Sequence, residues 1–357
     1  MKIRLILSPF SLIYGFFLWV RRFIYHHNIL KSYSPKLATI AIGNLCMGGA
    51  GKTPHTEYLI RLLFPEWEIA TLSRGYGRKS KGYILANENE RNIPDVSMIG
   101  DEPMQYYYKF PDIKVAVAEK RKEGIIKLTE KYPSLQVILL DDAYQHIQVN
   151  SGLKILLTEY EKPYFKDFPI PSGNLREFRN AATEAAIIII TKTPENITDK
   201  EQIAFSEKIE MLPKQKLFYT TYIYGHPEPQ TEPAKKIALN SEINIILITG
   251  IAHPKPLVDK LTQQYNRISH LKFPDHHIYN KKDIKIIKRN FSGELKSKTV
   301  VFTTEKDMMR LETGNLKDEI QSLPVFTVPI EVKFLFEEEK IFNAIIKQYV
   351  RSNSISN

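Results

Sequence analysis

The stretch Ile40-Ala-Ile-Gly-Asn-Leu-Cys-Met-Gly-Gly-Ala-Gly-Lys-Thr-Pro54 constrains the fold more than any other part of the chain. The apolar run Leu37 to Ile42 is short, partly β-branched and ends in Gly43, which predicts a buried strand. Thr53 to Phe64 follows with a helical pattern, and Pro54 suits a first helical turn. Strand, glycine-rich turn, Lys-Thr and helix together are the setting of a phosphate-binding loop. Glycines let consecutive backbone N–H groups curl around phosphate oxygens. The helix N-terminus adds its dipole. The common pattern G-x-x-x-x-G-K-[ST] would place Gly at 46, where Cys46 stands. Cysteine is small and fits the loop entrance. The loop is therefore carried by Gly48, Gly49 and Gly51. Met47, Gly48, Gly49, Ala50, Gly51, Lys52 and Thr53 are the expected nucleotide-binding residues. Lys52 can reach the β- and γ-phosphates, and the Thr53 hydroxyl can hold Mg2+.

Further buried strands are predicted at Ile69–Leu72, Lys114–Ala118, Gln136–Leu140, Lys154–Leu157 and Ala186–Ile190, with helical patterns between several of them. Strands alternating with helices predict an α/β fold, a P-loop NTPase-type doubly wound, mostly parallel sheet. A second section starts near Lys214. It has strand patterns at Leu217–Ile223, Asn244–Ile248, Lys298–Thr303 and Pro324–Val328, and a helical one at Pro256–Gln264. It reads as a second, smaller α/β domain. A length of 357 residues accommodates both. The expected division is 1–30 for an N-terminal helix, 31–213 for the phosphate-loop core, 214–348 for a smaller domain closing the cleft, and 349–357 for a frayed polar tail.

Leu5 to Val20 is apolar apart from Ser and Gly, with Lys2 and Arg4 before it and Arg21, Arg22, His26 and His27 after it. As a helix it spans about 24 Å, short of the roughly 20 residues a bilayer core needs. No small-residue cleavage site follows, which argues against a signal peptide. An interfacial or shallowly inserted membrane-associated helix with basic flanks is expected. A buried core helix is the alternative. The net charge of +10 suggests an anionic partner. There is no arginine-rich tract or zinc spacing, so nucleic acid is not the expected one. One cysteine excludes an internal disulfide and fits a reducing compartment.

Gln136 to Asp142 is an apolar strand ending in two carboxylates. An acid at the end of a neighbouring strand is where a Mg2+ ligand must stand in such folds, so Asp141 and Asp142 are the expected metal partners of Thr53. Neighbours on a strand point to opposite faces, which predicts different roles for the two. Gly100-Asp101-Glu102-Pro103, after a short predicted strand at Asp95–Ile99, offers acids to orient a nucleophile. Asp275-His276-His277 offers a carboxylate beside imidazoles. Ser73-Arg74-Gly75-Tyr76-Gly77-Arg78 puts guanidiniums near the cleft, where arginine suits phosphate. Asn174-Leu175-Arg176-Glu177 adds an arginine–acid pair. Thr191-Lys192 is followed by Thr193-Pro194 rather than by the Asp of a guanine-reading element. ATP is therefore expected over GTP.

The motifs G-N-L-x-x-G-G-x-G-K-T-P, S-R-G-Y-G-R, G-D-E-P, D-D-x-x-Q-H, L-R-E, D-H-H and T-E-K-D occur here in this order. In this combination the chain resembles the tetraacyldisaccharide 4′-kinase family of lipid A biosynthesis, from the N-terminal helix to about Asp307. Ala143-Tyr144 stands where Gly-Phe is common in that family. The resemblance implies transfer of the ATP γ-phosphate to the 4′-hydroxyl of an acylated disaccharide 1-phosphate lipid. It implies attachment to the cytoplasmic face of a Gram-negative inner membrane, and a monomer is expected. It implies Asp101 as the base paired with His276, Mg2+ on Thr53, Asp141 and Asp142, and Lys52 on the γ-phosphate. Asn44, Arg74, Glu102, His146, Arg176 and Glu177 would serve the substrate and its phosphates. The competing reading is a membrane-targeted P-loop ATPase switch.

Overall fold

The computed structural model describes residues 6–87, 94–291 and 298–354. Strand β1 (Ala38–Asn44) is buried along its whole length, as a strand with both faces covered can be. Alternate residues enter opposite cores. Ile40 and Ile42 join one cluster, and Ala41 joins the other. The strands that flank it in sequence are β2 (Ile69–Ser73), β3 (Ile84–Leu85), β4 (Lys114–Val117) and β5 (Val137–Asp141). Then come β6 (Leu153–Glu159), β7 (Ile187–Thr191) and β8 (Lys216–Tyr224). With the later β14 (Ile330–Phe334) they form a nine-stranded sheet in the order β14-β8-β7-β6-β1-β5-β2-β4-β3. It is parallel except at its two edge pairs, β14–β8 and β3–β4. The register pairs Ile42 with Asp141, so the acidic strand end lies beside the start of the loop.

The five strands β9 (Glu228–Pro229), β10 (Asn244–Thr249), β11 (Arg267–Lys272), β12 (Thr299–Thr304) and β13 (Val325–Val328) make a second sheet, ordered β11-β10-β12-β13-β9. The helices are α1 (Ser8–His26), α2 (Lys52–Leu63), α3 (Val96–Ile99), α4 (Asp101–Lys109), α5 (Arg121–Lys131) and α6 (Asp199–Ile209). After them come α7 (Glu232–Lys235), α8 (Lys255–Thr262), α9 (Lys281–Arg289), α10 (Glu305–Leu311), α11 (Lys317–Gln321) and α12 (Glu339–Asn353). Helices α2 and α12 share one core with β1 through Leu59, Ile60, Phe342 and Ile346. Helix α5 covers the opposite face through Ile125 and Leu128.

Three expectations are corrected. Leu217–Ile223, expected in the smaller section, is β8 of the large sheet and pairs with β7 and β14. Strand patterning gives burial but not the partner. Asp95–Ile99 is a helical turn, because the Asp95 carboxylate accepts from Met98 N at 3.0 Å and from Ser97 Oγ at 2.6 Å and caps α3. The expected tail at 349–357 begins inside α12. Tyr349 donates to the Thr39 carbonyl at 3.0 Å, and Val350 is fully buried. Residues 355–357 lie outside the described residues.

Among the described residues no helix is long and apolar enough to cross a membrane. The expected helix at 1–30 is α1, with residues 1–5 outside the described residues. It has two faces. Ser11, Gly15 and Leu18 are buried against the large-sheet body. Ser11 Oγ donates to the Pro169 carbonyl at 3.0 Å, and Tyr14 donates to the Arg176 carbonyl at 3.0 Å. Phe10, Leu12, Ile13, Phe16, Phe17 and Trp19 are exposed on the other side.

If α12 completes the core, Ile346→Ala should cost about 2–5 kcal/mol. A urea titration would show a lower midpoint at unchanged slope. An unmoved midpoint would mean that the helix is dispensable.

Candidate active site

The loop leaves β1 and is pinned from outside. Cys46 pairs with Leu175, and Met47 N donates to the Asn174 carbonyl at 2.7 Å. Burial pushes the Cys46 thiol up to about 12, which leaves it inert. Gly51 has φ of 86°, and a Cβ there would lie 1.6 Å from the Tyr222 hydroxyl. That hydroxyl is buried and has no hydrogen-bond partner among the described residues. Helix α2 starts at Lys52, so its first N–H groups are free for an anion. Thr53 sits half-buried in this first turn.

The positive and negative groups meet at the strand ends. Lys52 Nζ lies 3.6 Å from Asp142 Oδ1 and donates to Asn44 Oδ1 at 3.4 Å. Arg176 grips Asp142 with both ends of its fork, Nη2 to Oδ1 at 2.9 Å and Nη1 to Oδ2 at 3.1 Å. Its Nη2 also reaches Asn44 Oδ1 at 2.8 Å. Burial raises the Asp142 carboxyl, but Lys52 and Arg176 outweigh that and hold it well below the usual range. Asp142 has φ of 47°, so the chain turns there and the two acids separate. Asp141 ends β5 and is buried. Its Oδ2 accepts from the Tyr106 hydroxyl at 3.1 Å, and its Oδ1 has no hydrogen-bond partner among the described residues. Burial first, then Glu102 and Asp142, push its carboxyl up to about 7.

A buried carboxylate oxygen without a donor suits a cation. Among the described residues no group of three or more His, Cys, Asp or Glu could hold a metal by itself. Mg2+ needs no such group, since it binds through one or two carboxylates together with phosphate oxygens and water. The donor set Thr53, Asp141 and Asp142 fits that chemistry.

Asp101 opens α4 and is buried. Its Oδ2 lies 3.2 Å from His276 Nδ1, so the two expected partners meet although His276 lies far along the chain, in the loop after β11. The same oxygen takes two hydrogen bonds from Arg310, at 2.6 and 3.1 Å, and Lys306 stands 3.7 Å away. Burial raises the Asp101 carboxyl. His276, Lys306 and Arg310 more than reverse this and hold it well below the usual range. Glu102 receives Lys306 at 3.1 Å. His277 turns away, with its Nε2 3.0 Å from Asp283 and its ring stacked on Phe273. Of the two histidines, His276 is the one on Asp101.

Arg74 is exposed at the end of the β2 segment. Burial, followed by Arg121, Arg21 and Arg74, pulls His146 down to about 3, so it is neutral near pH 7. Glu177 is not with the other site residues. It is buried on Arg22 of α1, at 3.1 Å. Sequence reasoning missed Tyr106, Arg121, Tyr222, Lys306 and Arg310. Arg121 is fully buried and donates to the Asp141 carbonyl at 3.2 Å. Lys306 and Arg310 stand four apart in the T-E-K-D helix, the spacing that shares one face. That was the available signal.

A glycine loop on a helix N-terminus, a buried acid at the neighbouring strand end and a carboxylate–imidazole pair beside them define a P-loop phosphotransferase. Comparison with known proteins narrows this class. The chain belongs to the family described as Tetraacyldisaccharide-1-P 4'-kinase, which matches residues 3–351. It is 41% identical to a tetraacyldisaccharide 4'-kinase of Phocaeicola vulgatus, over 99% of this chain and 97% of that one. Its identity to the protein of that name from Flavobacterium johnsoniae is also 41%, over 98% of each. The fold is similar to LpxK from Aquifex aeolicus in complex with ATP, with a TM-score of 0.71, 26% identity and coverage of 98% and 99%.

Asp141 gives a pH test. Its folded-state value of about 7 lies above the ordinary 3.8, so the folded state holds the proton more tightly than the unfolded chain. Stability therefore falls as pH rises through that window. In metal-free buffer Asp141→Asn should melt higher than the parent at pH 8, with the gain vanishing below about pH 4. Equal melting temperatures at pH 8 would refute the strained carboxylate.

Proposed function

We propose that this chain transfers the γ-phosphate of ATP to the 4′-hydroxyl of a tetraacyldisaccharide 1-phosphate, giving lipid IVA in lipid A biosynthesis. The observation that carries this reading is the meeting of Asp101, at the start of α4, with His276, in the loop after β11. Lys52 and the loop N–H groups take the phosphates of ATP. Thr53, Asp141 and Asp142 would hold Mg2+, which would neutralise phosphate charge. Asp101 orients the sugar hydroxyl and receives its proton, and His276 shares the resulting charge. The strongly paired carboxylate is a weak base, but phosphoryl transfer through a loose transition state asks mainly for orientation. Asn44, Arg74, Glu102, His146 and Arg176 serve the substrate and its phosphates. Glu177 acts through Arg22, tying α1 to the site.

The exposed aromatic and aliphatic face of α1 supports attachment to a membrane surface. On this reading the enzyme works on the cytoplasmic side of the inner membrane, where ATP is available and the acylated substrate is retained. It acts as a monomer. Closure of the second sheet on the loop keeps water from the γ-phosphate.

The reading is tested with γ-labelled ATP and detergent-dispersed disaccharide lipid. Labelled lipid is the expected product. Phosphate release without it would favour the ATPase switch. Asp101→Ala and His276→Ala should each lower kcat by a similar factor, about 10²–10⁴-fold, with little change in the KM for ATP. Full activity in either variant rejects the pair.

A further inference from the structure

We propose that Arg310 is the positioning residue of the Asp101–His276 pair, holding carboxylate and imidazole in register from the second sheet. The inference deepens the phosphotransfer reading and rests on Asp101 acting in it. Arg310 lies on α10 with 6% of its surface exposed. Four of the five N–H groups of its fork donate to protein acceptors. Nε and Nη2 donate to Asp101 Oδ2 at 3.1 and 2.6 Å. Nη1 donates to the Gly250 carbonyl at 3.0 Å and to Asp307 Oδ1 at 3.1 Å. Nη2 also lies 3.4 Å from His276 Nδ1. A guanidinium engaged in this way keeps one N–H at most and cannot present a fork to a phosphate. Its work is to fix its neighbours.

Gly250, just past the end of β10, is the shared anchor. Its carbonyl receives both Arg310 Nη1 and the His276 backbone N–H, the latter at 3.1 Å. Its own N–H donates to Asp307 Oδ2 at 3.0 Å. Asp307 also accepts from Tyr279 at 3.1 Å and from Thr304 at 2.7 Å. Asp307 therefore orients Arg310, and Arg310 holds Asp101 against the same carbonyl that places His276. The charged groups around Asp101 are Glu102 on its own helix, His276 on the loop after β11, and Lys306, Arg310 and Asp307 on α10. Lys306 cannot replace the clamp. It stands 3.7 Å from Asp101 and donates to Glu102. A lysine at 310 would keep the charge but lose the planar fork.

The test compares full-length parent, Arg310→Lys and Arg310→Gln in the labelled-lipid assay. It adds a 13C titration of the Asp101 carboxyl, assigned with Asp101→Asn. Both variants should lose about 100-fold in kcat, the cost of a small misplacement, with the KM for ATP nearly unchanged. Arg310→Gln should move the Asp101 titration up toward the ordinary aspartate range, because a cation contact is gone. Arg310→Lys should leave the titration low without restoring kcat, which separates geometry from charge. Parental kcat in either variant overturns the proposal. So does an Arg310→Gln titration that does not move. If neither variant folds, Arg310 is a strut and the positioning role falls. If the parent itself labels no lipid, the proposed function fails instead, and the titration alone decides whether Arg310 grips Asp101.

Discussion

The close approach of Gly43 to Tyr144 sets the spacing on which the site depends. A Cβ at 43 would lie 2.7 Å from the Tyr144 Cβ and 2.9 Å from its backbone nitrogen. Tyr144 cannot retreat, because its ring is buried and its hydroxyl donates to the Ala181 carbonyl at 2.8 Å. The segment leaving β5 therefore folds tightly over the end of β1. Asp142, where the chain turns, meets Lys52 and Arg176 there. The β1–β5 register sets the acidic strand end beside the loop, and the close packing at Gly43 fixes how the chain leaves it.

The charges then sort themselves by environment. Asp141 and Asp142 are chain neighbours with opposite fates. Asp142 turns out of the strand onto two cations and stays ionised. Asp141 remains in the sheet with a tyrosine hydroxyl and an empty oxygen, and its ionisation is resisted. A buried carboxylate of that kind is costly by itself and suited to a divalent cation. Asp101 is the third case. Its cations come from the other sheet, so its state reports whether the two sheets are together. Lys109 strengthens the same seam, joining Glu57 at 2.8 Å and also Glu305.

Much of this was legible in the chain because the chemistry is local. The loop, its strand and its helix occupy one continuous stretch. Asp141 and Asp142 follow an apolar run that can only be a buried strand. The Asp101–His276 pair was reached through resemblance to a family rather than from spacing. Other features were not legible. Glu177 reads as a partner of Arg176, but its neighbour is Arg22, far away on α1. Tyr349 and Val350 sit in a polar-looking end, yet they continue an amphipathic helix whose buried face lies against β1. Lys306 and Arg310 look like an ordinary solvated helix face until the second sheet is set against α4. In each case the deciding group comes from a remote segment.

The sequence by itself determined the phosphate loop, the parallel α/β architecture, the acidic strand end and the apolar face of α1. These follow from backbone freedom at glycine, period-2 and helical patterning, and the hydrophobic effect. Tertiary structure alone decided which sheet β8 joins and that the C-terminal helix returns to β1. It also decided which histidine meets Asp101 and how Arg310 holds the pair. The physical reason is that strand pairing and charge pairing are interactions at a distance along the chain. A residue's type limits what it can pair with, but the packed sheets choose the partner.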